Sequence, residues 1–198
     1  MHFNQLLSVP LWPPSLLQER IHAGPYSDSV ICFGRLAGNK RVSLLFDAIK
    51  LATQAKVVIY DAGPEEDKLR VQIERLGLGQ RCRLHGHVSE VELIDALAQA
   101  RAVFSGPYDE DYGYAAIEAF LAEKPVITCT DSGEAARMVE RTGGGWVVDP
   151  KPAAIASALQ DAYRQNDNQL AALVRSGASF ARTLGWQHVV DELVTPYL

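Results

Sequence analysis

Six short apolar runs, each followed by a stretch with helical periodicity, constrain this chain more than any other feature. The runs are VICFG (30–34), KVVIYD (56–61), RCRLHG (81–86), RAVFSG (101–106), PVITC (125–129) and GWVVD (145–149). Most lack strict apolar–polar alternation, as expected for strands buried on both faces of a parallel sheet. Helical patterns lie between them near 41–54, 65–76, 90–99, 113–123 and 133–141, and three more follow near 151–165, 168–182 and 186–195. Connections this short imply right-handed crossovers. The expected fold is therefore α/β, a Rossmann-like doubly wound parallel sheet of about six strands with extra C-terminal helices. Ser89 and Glu92 have the S-x-x-E form of a capping box. Pro64 is expected to open the second helix, and Gly143-Gly144-Gly145 to end the fifth.

A chain of 198 residues with 47% hydrophobic and 22% charged residues suits one globular domain. Residues 1–28 hold four of the ten prolines and little periodicity, so they read as a linker or inter-domain strap ahead of a domain at 29–198. A net charge of −5 argues against nucleic-acid binding. No apolar run approaches the roughly 18 residues of a membrane span, and the N-terminus lacks the basic start of a signal peptide. Cys32, Cys82 and Cys129 each fall inside a strand-like run, as reduced, buried thiols of a cytoplasmic protein would. His85 and His87 have no cysteine or carboxylate nearby to complete a metal set.

The stretch Pro107–Pro125 points to a ligand. Glu110 and Glu118 stand eight positions apart around Tyr112-Gly113, where a polar loop gives way to the helix-forming run AAIEAFLAE. A helix start offers unpaired N–H groups and partial positive charge to a phosphate, and Gly113 lets the ligand approach the backbone. A carboxylate on each flank could bind the hydroxyls of a ribose and of a hexose joined through a diphosphate. Arg35 and Lys40 lie in the loop after the first strand, at the strand ends where ligands of such sheets bind. They are placed to neutralise that diphosphate. Arg41 reads as a surface charge.

With these residues in place, the chain from about Ser29 to Tyr197 resembles the C-terminal half of retaining group 1 glycosyltransferases of the GT-B architecture. The resemblance rests on Gly34-Arg35-Leu36 with Lys40, on the glutamate pair with Tyr112-Gly113 between, and on Glu118-Ala119-Phe120 and Pro125-Val126-Ile127. It implies that Gly34, Arg35 and Lys40 grip the donor diphosphate, with Gly113 and Tyr114 at the helix start beneath it. It further implies that Glu110 contacts the donor sugar, Glu118 the ribose, and the main chain of Val88, in Gly86-His87-Val88, the base. Gly133 would belong to a loop closing over the donor, and Trp186 to the packing of a terminal helix. No metal or other cofactor is implied, and Asp109-Glu110-Asp111 does not serve as a D-x-D metal site. The wording DEDYGY is similar to bacterial enzymes that build lipopolysaccharide or capsule.

The implied function is the donor half of an enzyme moving a sugar from a nucleoside-diphosphate sugar to a glycan or lipid-linked acceptor with retention. An N-terminal domain would hold the acceptor, so this chain alone would be inactive. The full enzyme would work in the cytoplasm or at the inner face of the membrane. The alternative is a non-catalytic nucleotide-sugar-binding or protein-interaction module derived from such an enzyme. The missing acceptor domain and Arg137 favour it, the glutamate pair opposes it, and three departures from the family pattern bear on activity. Asp61 replaces the first glycine of a G-x-G-P turn, where it would repel a diphosphate unless it turns away or meets Lys40. The run Asp131-Ser132-Gly133-Glu134 keeps one glycine of an expected two, and Arg137 stands where an acid is expected. Neither a G-x-G-x-x-G dinucleotide fingerprint nor a G-x-S-x-G nucleophile elbow is present.

Overall fold

A computed structural model describes residues 17–187 and Val190. Six parallel strands form one sheet: β1 (Ser29–Phe33), β2 (Lys56–Tyr60), β3 (Cys82–Gly86), β4 (Ala102–Phe104), β5 (Val126–Cys129) and β6 (Gly145–Val148). Their order is β3-β2-β1-β4-β5-β6, so the winding reverses between β1 and β4. Ligands of such sheets bind outside the strand ends at that switch point. Among the described residues, seven helices accompany the strands: α1 (Val42–Leu51), α2 (Glu66–Leu76), α3 (Glu90–Gln99), α4 (Tyr114–Leu121), α5 (Glu134–Thr142), α6 (Pro152–Arg164) and α7 (Asp167–Thr183). The expected doubly wound sheet is the one observed. The helix expected near 186–195 falls largely outside the described residues.

Both sheet faces are apolar because both are covered. Val30 and Cys32 point to a core shared with α1, α2 and α6, whereas Ile31 and Val103 point to one shared with α3, α4, α5 and α7. Helix α4 is buried on most sides through Ala116, Ile117, Ala119 and Phe120, which fixes its N-terminus against the sheet. The Ser89–Glu92 capping box forms, and Gly143 ends α5 in the left-handed conformation. Two expectations shift. Pro64 lies before Glu65, the N-cap of α2, so the proline sets the turn and not the first helical residue. Trp186 is 62% exposed and not a core residue.

The described part of the strap lies on the domain. Ser27 donates its N–H to the Gln99 carbonyl at 2.8 Å, and the Gln18 amide donates to the Leu184 carbonyl at 2.8 Å. Lys124, fully buried, donates to the Gly24 and Pro25 carbonyls at 2.7 and 3.3 Å and sits 4.0 Å from the Tyr26 ring centroid. Burial pushes its pKa down to about 8. Between that value and about 10.4, the unfolded chain binds the proton that the folded chain has released, so this group makes stability rise with pH. The buried thiols act in the opposite sense. Burial pushes Cys32 and Cys82 up to about 12 and Cys129 up to about 11, so their contribution is complete below about 8.5 and lost as pH rises. Comparison with Lys124→Met isolates the lysine. Urea unfolding from pH 8 to 10 should show wild type gaining stability relative to the variant, by roughly 1–2 kcal/mol. Parallel pH curves would contradict a strained ammonium at this position.

Candidate functional site

Three loops leave the carboxyl ends of β1, β4 and β5 and meet at the switch point. The first, Gly34–Arg41, is stitched to the turn after β2. The N–H of buried Leu36 donates to the Ala62 carbonyl at 3.1 Å, and the Leu36 carbonyl accepts from Glu65 N–H at 3.1 Å. The loop then makes a 3-10 turn over Gly38–Lys40 and enters α1. Gly34 opens it with a φ of 104°. Arg35 projects from it, exposed.

The second loop runs from Ser105 to Gly113 and carries the acidic segment. Lys40 Nζ forms an ion pair with Glu110 Oε1 across 70 residues of sequence, and both side chains are about three-quarters buried. Tyr108 N–H donates to the Asn39 carbonyl at 2.8 Å, joining the same two loops through the backbone. Gly113 is the N-cap of α4, with φ 66°, and no side chain caps this end. The α4 start is held against α5: a Cβ on Gly113 would come within 2.9 Å of the Ala135 nitrogen. Glu118 lies in the second turn of α4, half-buried. Tyr112 and Tyr114 stack with centroids 5.9 Å apart, both exposed.

The third loop, after β5, closes the group. The N–H of Asp109 donates to the Asp131 carbonyl at 2.9 Å, and that of Glu134 to the Glu110 carbonyl at 3.0 Å. Ser132, next to the one glycine this loop keeps, is fully buried and donates its hydroxyl to the Pro107 carbonyl at 2.7 Å. Gly133 has φ 64° and ψ −130° and lies directly against the Glu110 backbone.

Lys40, Glu110, Gly113 and Gly133 are thus gathered, while Gly34 and Arg35 share the Lys40 loop. Val88 stands apart, on the turn between β3 and α3. It borders a cavity of about 360 Å³ together with Tyr60, His85 and Glu92. The Tyr60 and His85 rings stack there, with centroids 5.1 Å apart.

The three departures have local accounts. Asp61 turns away from the loops: Oδ1 accepts the Ala62 N–H at 2.7 Å and lies 3.4 Å from His87 Nδ1, while Lys40 pairs elsewhere. Arg137 is exposed and paired with Glu134, so an acid does stand in this loop, three residues earlier and buried.

Arg41 is the correction that matters most. Far from being a surface charge, its side chain is only 17% exposed. It donates to Asp131 through two nitrogens at 2.7 Å each, to the Gly106 carbonyl at 2.9 Å and to the Pro107 carbonyl at 2.7 Å. This bonding holds the Asp131 carboxyl below the usual carboxylate range and raises Arg41 further. Sequence reasoning missed Arg41, Asp131 and Ser132 because their partners lie 25 to 90 residues away. The one available signal was an arginine and an aspartate in loops after neighbouring strand ends.

Known proteins bear on this arrangement. The Streptomyces avermitilis enzyme named D-inositol 3-phosphate glycosyltransferase is 30% identical over 123 residues, covering 62% of this chain and 26% of that protein. The fold is similar to Anabaena HepE, solved in complex with UDP and glucose (TM-score 0.73, 23% identity, 86% of this chain and 48% of that one). It is likewise similar to sucrose-phosphate synthase from Thermosynechococcus elongatus (TM-score 0.74, 20% identity, 94% of this chain and 49% of that one). The chain therefore spans about a quarter of that curated relative and about half of these solved structures. Residues 23–179, which include all three loops, match the family described as "Glycosyl transferases group 1", and to that family this chain belongs.

Proposed function

We propose that this chain is the donor-binding half of a glycosyltransferase that moves a sugar from a nucleoside-diphosphate sugar to a glycan or lipid-linked acceptor with retention of configuration. The observation that carries the reading is the Lys40–Glu110 pair beside the uncapped start of α4. Together they offer a cation, helix N–H groups and a carboxylate within one cluster. Breaking the bond between sugar and diphosphate builds negative charge on the departing phosphate. Lys40, Arg35 and the first N–H groups of α4 stabilise that charge where it grows. Glu110 accepts hydrogen bonds from sugar hydroxyls once the diphosphate has taken Lys40 from it, and Glu118 takes the ribose. The main chain of Val88, on the turn after β3, meets the base. No divalent ion takes part in donor binding. The acceptor sits on an N-terminal domain, and transfer takes place in the cytoplasm, at the inner face of the membrane where the acceptor is a lipid. In isolation this half binds donor without turnover.

The test is a thermal-shift panel of UDP, GDP and ADP, each with and without EDTA. One of the three, at a hundred times its dissociation constant, should stabilise the fold by about 2.7 kcal/mol. For a domain of this size that is a rise of roughly 5–10 °C. A shift that vanishes on chelation would remove the metal-independent part of the proposal. No shift with any of the three would remove the nucleotide-binding part.

A further inference from the structure

We propose that Arg41 is a positioning residue, whose guanidinium ties the loops after β1, β4 and β5 into one body and so holds Lys40, Glu110 and Gly133 ready for a nucleoside diphosphate. Its anchors are distributed in a telling way. Arg41 adjoins Lys40; Pro107, whose carbonyl it holds, is three residues before Glu110; Asp131, its bidentate partner, is two residues before Gly133. One side chain thus anchors all three loops that carry Lys40, Glu110 and Gly133. The backbone bears a cost for this, since Arg41 has φ 51°, a conformation that L-residues adopt reluctantly. Such strain persists only where surrounding contacts over-determine it. Here they do: four hydrogen bonds hold the guanidinium, and the Tyr108 ring lies 5.8 Å beneath it. The four bonds to a carboxylate and two carbonyls use a flat five-donor fork, whereas a lysine ammonium has only three donors.

The inference rests on the nucleotide-binding reading for its consequence but not for its mechanics, so two measurements separate them. Arg41→Gly suits the left-handed backbone and removes only the side chain. Asp131→Asn keeps the arginine and breaks the charge pairing. By hydrogen exchange, both should speed amide exchange in 34–41, 105–113 and 131–134 by about tenfold or more, with β1 and β5 unchanged. By titration calorimetry, affinity for whichever of UDP, GDP or ADP the wild type binds should fall by about tenfold, while the melting temperature moves by only a few degrees. The double variant should be no worse than Arg41→Gly, and Arg41→Lys should recover affinity only in part. Unchanged loop exchange in both variants overturns the clamp. Accelerated exchange with unchanged affinity overturns the positioning role. A wild type that binds none of the three nucleotides overturns the nucleotide reading and, with it, the role of Arg41 in binding, while the exchange data still decide the clamp.

Discussion

Glu110→Gln is expected to tighten binding of a bare nucleoside diphosphate, and Lys40→Met to weaken it by at least tenfold. The opposite signs follow from the pairing of the two side chains without ligand. A diphosphate must take the Lys40 ammonium from the Glu110 carboxylate, and it must do so beside that carboxylate's charge. An ion pair of this partial exposure is worth roughly 0.5–1 kcal/mol. Neutralising Glu110 removes both the competition and the repulsion, for a gain of about three- to tenfold. Lys40→Met loses a charged hydrogen bond worth about 1.5–3 kcal/mol and leaves Glu110 unpaired beside the phosphates. For a sugar-bearing donor the glutamine should give no comparable gain, because it is a poorer acceptor for sugar hydroxyls than a carboxylate. Calorimetric titration of both variants at one ionic strength checks this. If both substitutions move affinity in the same direction, the competition between diphosphate and Glu110 is not real.

The fold was legible in the sequence because its signals are local. Buried parallel strands advertise themselves as runs such as VICF and PVIT, and Ser89 with Glu92 marks a helix start within four residues. The site was legible in part for the same reason. Gly113 ends a loop and begins a helix, so its role as the α4 N-cap could be read directly. That Lys40 would reach Glu110 depended on β1 and β4 being neighbours, which follows from the winding once the sheet is accepted. Arg41 was misread as a surface charge because nothing near it in sequence supplies its partners, which lie 65 to 90 residues away. In the folded chain the two side chains diverge, Lys40 to the ligand cluster and Arg41 under the loops. Trp186 failed differently. The resemblance assigned it to the packing of a terminal helix that falls largely outside the described residues, and its indole is exposed.

Gly133→Ala should be the most damaging small substitution in the site, lowering stability by about 3 kcal/mol or more and abolishing measurable nucleotide affinity. Two effects add. At φ 64° and ψ −130° a Cβ is disfavoured whatever the surroundings, at roughly 1–2 kcal/mol. The surroundings then forbid it: the new carbon would lie 2.4 Å from the Glu110 carbonyl oxygen and 2.8 Å from its nitrogen. These are backbone atoms, so no rotamer change relieves the overlap, and the loop carrying Glu110 must move. That movement breaks the bond from Glu134 N–H to the Glu110 carbonyl and draws Glu110 away from Lys40. A melting temperature lower by about 6–12 °C is expected. Gly79→Ala is the control, because nothing lies within 4 Å of its added carbon, and it should melt within about a degree of wild type. If Gly133→Ala also melts there, the β5–α5 loop has room to yield. Glu110 would then owe its position to Arg41, Lys40 and the other bonds of its loop, and the Arg41→Gly and Gly133→Ala effects on nucleotide affinity would separate instead of tracking one another.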